Sequence, residues 1–201
     1  MACDGPNVWN VISSMQLNPR SKLLLLFAVF ALPIVAAYLA YYGWRPAGHS
    51  NYGDLLKTAP LQQTEGKTLD GHAFNLEALH GKWVMVHVAP ARCDADCAHL
   101  LYLTRQVRIA QGKDQSRIER LWVLTDNGVP DATLLQEHPG LHVWRPDGAA
   151  FLEQFPAAQD RSAHVYLVDP LGNLMLRFPV QPDFKGMMKD LKLLLKASQI
   201  G

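Results

Sequence analysis

The sequence, 201 residues long, predicts an α/β domain, a central mixed sheet flanked by helices, preceded by one N-terminal transmembrane helix. Three features predict it: an uncharged apolar run near the N-terminus, a strand–helix–strand succession in the middle, and a hairpin leading into an amphipathic helix at the end. Apolar residues make up 49% of the chain and charged ones 18%, which is enough burial to offset the entropy of ordering and argues against disorder. A net charge of +1, without a basic stripe interleaved with aromatics, excludes the electrostatic footprint of a nucleic-acid binder.

The run Leu23 to Tyr42 (LLLLFAVFALPIVAAYLAYY) has the roughly 20 apolar residues that a helix needs to cross a hydrocarbon core. Pro33 is tolerable there, and Tyr41, Tyr42 and Trp44 suit an interfacial belt, so the run reads as an uncleaved anchor rather than a signal peptide. Arg20 and Lys22 crowd the entry side, which points to a cytoplasmic N-terminus, with everything after the anchor exported across a bacterial inner membrane into the periplasm. GWRPAGHSN, from Gly43 to Asn51, reads as linker.

Gly66 to Leu79 (GKTLDGHAFNLEAL) suggests a small hairpin and a turn. Trp83 to Pro90 (WVMVHVAP) is nearly continuously apolar, the pattern of a central strand buried on both faces. From Ala98 on, Leu100, Leu103, Val107 and Ala110 recur at helical spacing until Gly112, and Leu121 to Asp126 (LWVLTD) supplies a second buried strand parallel to the first. A short helix around Asp131 to Glu137 and a short strand at Leu141 to Trp144 follow. His164 to Asp169, a turn over Pro170 to Asn173, and Leu174 to Phe178 form an antiparallel hairpin. Pro182 and Asp183 then open a helix whose apolar stripe of Phe184, Met187, Met188, Leu191, Leu194 and Leu195 belongs to the core and not to a copper box.

Cys93 and Cys97, in ARCDADC, stand where the first central strand hands over to a helix. A helix start favours thiolate, which serves disulfide exchange and metal binding alike, while Asp94 and Asp96 oppose it. If both cysteines were helical their Cβ atoms would be about 5 to 6 Å apart. A disulfide needs about 3.5 to 4.5 Å, so closing it implies a modest distortion of the first turn. Two thiolates also suit a soft ion such as Cu(I). A plain structural disulfide is the bland alternative, but a staple closing so small a loop removes little chain entropy. Cys3, on the cytoplasmic side, cannot pair with them.

Taken together, the anchor, Gly81-Lys82, the C-x3-C pair, the LTD strand end and DRSAHVYLVDPLGN resemble the Sco (SenC) family, thioredoxin-like copper chaperones of cytochrome c oxidase assembly. Asp160, Ser162, Ala163, Tyr166, Leu167, Asp169, Pro170 and Gly172 carry the late segment of that likeness. The resemblance implies a thioredoxin-like fold for the domain, residues 59–201, which follows the tail (1–22), transmembrane helix (23–42) and linker (43–58) read from the residues themselves. It also implies Cu(I) on Cys93 and Cys97, and an oxidase subunit or another assembly factor as partner. The family's copper-binding His falls on Arg161, a guanidinium that only donates and cannot ligate copper. A third ligand is left to His99, His87 or His164, although strand alternation sends His164 and Arg161 to opposite faces and His87 suits a packed core position. His49, His72, His80, His138 and His142 lack metal-ligand spacing.

Arg161 would also lower the pKa of a nearby thiol, which favours a general periplasmic thiol–disulfide oxidoreductase using the same cysteines. Ala163 stands where such enzymes present a proline, and Ala98 where the Sco pattern has one. A non-catalytic assembly scaffold is the remaining alternative.

Overall fold

The computed structural model describes residues 18–43 and 51–198. The tail with Cys3, and residues 44–50 of the expected linker with Trp44, Arg45 and His49, lie outside the described residues. The chain divides into two compact units, residues 1–49 and 50–201.

In the first unit, helix α1 (Pro19–Gly43) runs unbroken through Pro33 for 25 residues, with a mean hydropathy of 2.6 over its most apolar 18 residues and no buried side chain. At 1.5 Å per residue it is about 37 Å long, and so long and apolar enough to cross a membrane.

The second unit is built on one sheet of eight strands among the described residues: β1 (Asp54–Pro60), β2 (Gly66–Thr68), β3 (Ala73–Phe74), β4 (Trp83–Ala89), β5 (Ile118–Leu124), β6 (Leu141–Pro146), β7 (Val165–Val168) and β8 (Asn173–Arg177). They lie in the order β1-β8-β7-β4-β5-β6-β2-β3. β4, β5 and β6 are parallel and the remaining pairings antiparallel, which makes the sheet mixed. Every residue of β4 is buried, because this strand has neighbours on both sides and a layer on each face.

One face carries Val84, Val86 and Val88 with Leu121, Trp144, Phe151, Phe155 and Tyr166. Its aromatic rings form an edge-to-face row, Trp144–Phe151–Phe155–Tyr166, with centroids 4.8, 5.5 and 5.1 Å apart, a preferred aromatic geometry. The other face is covered by α2 (Ala95–Ala110) and, later in the chain, α5 (Phe184–Ala197), whose Leu100, Leu103, Val107, Met187, Leu191 and Leu195 pack on Trp83, Met85, Val165 and Leu167. Asp183 caps α5, its carboxylate accepting from Gly186 N–H at 2.9 Å. Between them, α3 (Ala132–Glu137) and α4 (Ala150–Glu153) flank β6.

Two elements depart from the sequence reading. β1 lies partly inside the stretch 43–58 read as linker; its residues are mostly exposed, so no hydrophobic alternation announces it. It is tied by antiparallel pairing with β8, and the residues just before it are anchored by Asp190 of α5, 2% exposed, whose two carboxylate oxygens accept from Tyr52 N–H at 2.9 Å and Gly53 N–H at 2.8 Å. Arg161 lies on a 3-10 turn (Arg161–Ala163) and not on a strand, so the alternation argument that set it opposite His164 does not apply.

Asp190→Ala leaves two backbone N–H groups without their charged acceptor, a loss of about 3 kcal/mol. A lower urea midpoint, with faster hydrogen exchange at Tyr52 and Gly53, is the expected result.

Candidate functional site

Cys93 and Cys97 are joined by a disulfide with Cα atoms 5.3 Å apart. The gap foreseen for two helical cysteines closes without distorting the first turn, because the helix begins at Ala95 and Cys93 precedes its cap. Asp94 is that cap: its Oδ1 accepts from Cys97 N–H at 2.9 Å, and its carbonyl from Ala98 N–H at 2.9 Å. Asp94 therefore occupies the amide nearest the pair, where the sequence reading had seen only an opposing charge. The signal was present as an Asp three residues before Cys97 at a helix start.

The two sulfurs are not equivalent. Cys97 is 6% exposed and packs with Ala89, Ala91, Leu101, Trp122, Leu124 and Val143, whereas Cys93 at the rim is only partly buried. The segment leading into Cys93 is pinned by the end of β5. Asp126 Oδ1 accepts from Ala91 N–H at 2.9 Å, Thr125 N–H donates to Ala89 O at 3.2 Å, and Trp122 Nε1 donates to the same carbonyl at 3.2 Å. Arg145 holds Asp126 from behind, its Nε donating to the Asp126 carbonyl at 2.8 Å.

A cleft of ≈ 560 Å³ opens beside the pair, lined by Pro90, Asp94, Thr125, Asp160, Arg161 and Ser162. Arg161, at the position where the resemblance implies a copper-binding His, is exposed, and its Nε donates to Phe155 O at 3.1 Å. Asp160 accepts from Ser162 Oγ at 2.6 Å and Ser162 N–H at 2.9 Å, which holds its carboxyl below the usual range. The turn that presents Arg161 to the cleft is therefore fixed by a charged cap.

The weak third-ligand candidates are scattered. His99 is exposed and two residues from Cys97 on the same helix, a spacing at which side chains do not share a face. It borders a separate small cavity with Asp96, Ala163 and Val180. His164 is buried, with Nδ1 2.8 Å from Phe178 O. His87, 2% exposed, has Nδ1 3.3 Å from His164 O, and a carbonyl only accepts, so Nδ1 carries the hydrogen. Burial pushes its imidazole down to about 4, opposed by that hydrogen bond and by the carboxylates of Asp160 and Asp94. Among the described residues no group of three or more His, Cys, Asp or Glu side chains is disposed to hold a metal. The donors present fit two sulfurs, once reduced, and not a three-ligand centre.

A cysteine pair at a strand-to-helix junction, rim sulfur first and buried sulfur second, on a mixed sheet between helices, defines a thioredoxin-like protein. More specifically, the chain belongs to the family described as transmembrane-like, thioredoxin-like, C-terminal domain, whose model matches residues 83–198. No curated protein matches the sequence.

Among solved structures it is similar in fold to Bradyrhizobium japonicum ScoI with copper bound, at 21% identity and a TM-score of 0.54, over 67% of this chain and 99% of that one. It is similar also to BsSco, described as a member of the Sco family of cytochrome c oxidase assembly proteins with a disulfide switch, at 16% identity and a TM-score of 0.55, over 74% and 100%. A third is the thioredoxin domain of a thiol–disulfide oxidoreductase from Bacteroides vulgatus, at 19% identity and a TM-score of 0.54, over 70% and 99%.

Because the folded His87 imidazole titrates near about 4 and an unfolded one near about 6.5, the unfolded chain binds the extra proton in between. The stability from keeping His87 neutral is therefore complete above about pH 6.5 and lost as pH falls toward about 4. Unfolding free energy measured across this window is expected to fall less steeply in His87→Asn than in the parent.

Proposed function

We propose that the protein is a Sco-like, membrane-anchored accessory factor of cytochrome c oxidase assembly, acting by thiol–disulfide exchange through Cys93 and Cys97. The observation that carries this reading is the unequal exposure of two bonded sulfurs at the start of α2. In the reduced form the Cys93 thiolate attacks a partner disulfide and forms a mixed disulfide, expelling one partner thiolate. Cys97, deprotonated, then attacks Cys93 Sγ, releases the partner as a dithiol and closes the Cys93–Cys97 bond. An upstream dithiol of the same compartment restores the reduced pair by the reverse exchange. In this proposal α1 anchors the chain in a bacterial inner membrane, N-terminus in the cytoplasm and domain in the periplasm, in keeping with Arg20 and Lys22 at its entry. The partner is an oxidase subunit or another assembly factor.

Carriage of Cu(I) as cargo is a second reading, supported by the copper-bound Bradyrhizobium relative and by two sulfurs within bonding reach of one another. It rests on a two-thiolate site, since Arg161 supplies no donor atom for a metal.

The test uses the full chain in detergent. Mild dithiol should release two titratable thiols from the folded protein, and the reduced protein should turn over a peptide disulfide. Cys97→Ser should accumulate the mixed disulfide on Cys93, and Cys93→Ser should abolish both turnover and trapping. Anaerobic Cu(I) titration of the reduced chain, with a stoichiometry lost in Cys93→Ser, would add the cargo reading. A disulfide that opens only on unfolding overturns the exchange mechanism, and oxidase assembly that persists without either thiol assigns the chain a scaffold role.

A further inference from the structure

Residues of β4 alternate between the two layers. Val84, Val86 and Val88 belong to the aromatic face, whereas Met85 packs with Leu100 and Leu103, and Ala89 with Cys97 and Leu101. His87 stands between Met85 and Ala89 on that same side, so the α2 turn that carries Cys97, Leu100 and Leu101 lies over it. Its Nδ1–H is spent on the His164 carbonyl, which leaves Nε2 as a bare acceptor. That nitrogen is buried and has no hydrogen-bond partner while the cysteines are oxidised.

An unpaired acceptor in the interior is costly, and the layer above it changes composition with redox state. A disulfide sulfur has no hydrogen to give. On reduction two thiols of glutathione surrender two electrons and two protons, the Cys93–Cys97 bond breaks, and one molecule of glutathione disulfide forms. One of those protons falls on Cys97. Its apolar setting of Ala89, Ala91, Leu101, Trp122 and Val143 disfavours a thiolate, so the sulfur holds the hydrogen and becomes a weak donor.

We propose that His87 Nε2 accepts the S–H of Cys97 in the dithiol form, so that this histidine is a positioning residue that stabilises the reduced pair and makes the disulfide more oxidising. The inference rests on the exchange reading above. It explains why a histidine occupies the middle of a strand otherwise built of apolar side chains: only a neutral imidazole with one nitrogen committed to a carbonyl presents a fixed lone pair at this depth.

The experiment equilibrates the full chain in detergent with glutathione buffers of varied ratio and counts free thiols by alkylation. His87→Asn keeps a donor near the Nδ1 place and removes the Nε2 acceptor, and it should lower the equilibrium constant for reduction roughly three- to tenfold, the range set by one hydrogen bond. His87→Gln, which returns a polar atom near the Nε2 place, should recover part of that loss. Thermal unfolding supplies the readout that separates this from a role in packing: His87→Asn should destabilise the dithiol form more than the disulfide form. Equal destabilisation of both forms, or an unchanged equilibrium constant, overturns the proposal. A parent disulfide that cannot be reduced in the folded chain would instead sink the exchange reading.

Discussion

The hydrogen bond from Ala91 N–H to Asp126 Oδ1, 2.9 Å long, holds the junction on which everything chemical in this protein depends. It fastens the loop leaving β4 to the end of β5, so that Cys93 is delivered at the rim just before the Asp94 cap begins α2. With the cap holding Cys97 N–H, both ends of the short loop are fixed by carboxylates, and the sulfurs meet because the backbone brings them together. Cys93 stays partly exposed there, while an apolar layer shelters Cys97.

Much of the framework was legible in the chain. The nearly continuous apolar run of β4, the 3.6-residue rhythm of α2 and the Asp-Pro turn between β7 and β8 are local signals, and each element stands within a few residues of where it was expected. β1 was hidden for a physical reason: it is an edge strand, exposed along most of its length, and what holds it, the pairing with β8 and the Asp190 carboxylate that anchors Tyr52 and Gly53 just before it, lies more than a hundred residues away. The disulfide was open to the pair on spacing alone, but the first-turn distortion it implied is not needed, because Cys93 precedes the Asp94 cap and lies outside the helix. The cleft could not be read from spacing, since it depends on where the Arg161–Ala163 turn folds relative to the end of β4 and the cap of α2.

The residues that carry the Sco resemblance sort into two kinds. Asp169 accepts from Leu171 and Asn173 N–H at 2.9 and 2.8 Å, and Gly172 takes a φ of 85° that completes the hairpin turn. Gly81, at φ 83°, donates its N–H to Pro170 O at 2.9 Å and links that turn to the start of β4. Asp126, of the LTD strand end, holds the cysteine loop. These positions specify a backbone and carry no reactive atoms. Of the residues in that resemblance, Cys93 and Cys97 bring sulfur, and Arg161 stands where the resemblance implies a copper-binding His.

Trp122 gives the arrangement an optical consequence. Its indole is fully buried in the layer that contains Cys97 and hydrogen-bonds the carbonyl two residues before Ala91, so it lies in the immediate surroundings of the sulfur that changes state. A disulfide accepts an electron from an excited indole far more readily than a thiol does. The expected consequence is a brighter Trp122 when the pair is open than when it is closed, an internal fluorescent gauge of the state of the cysteines.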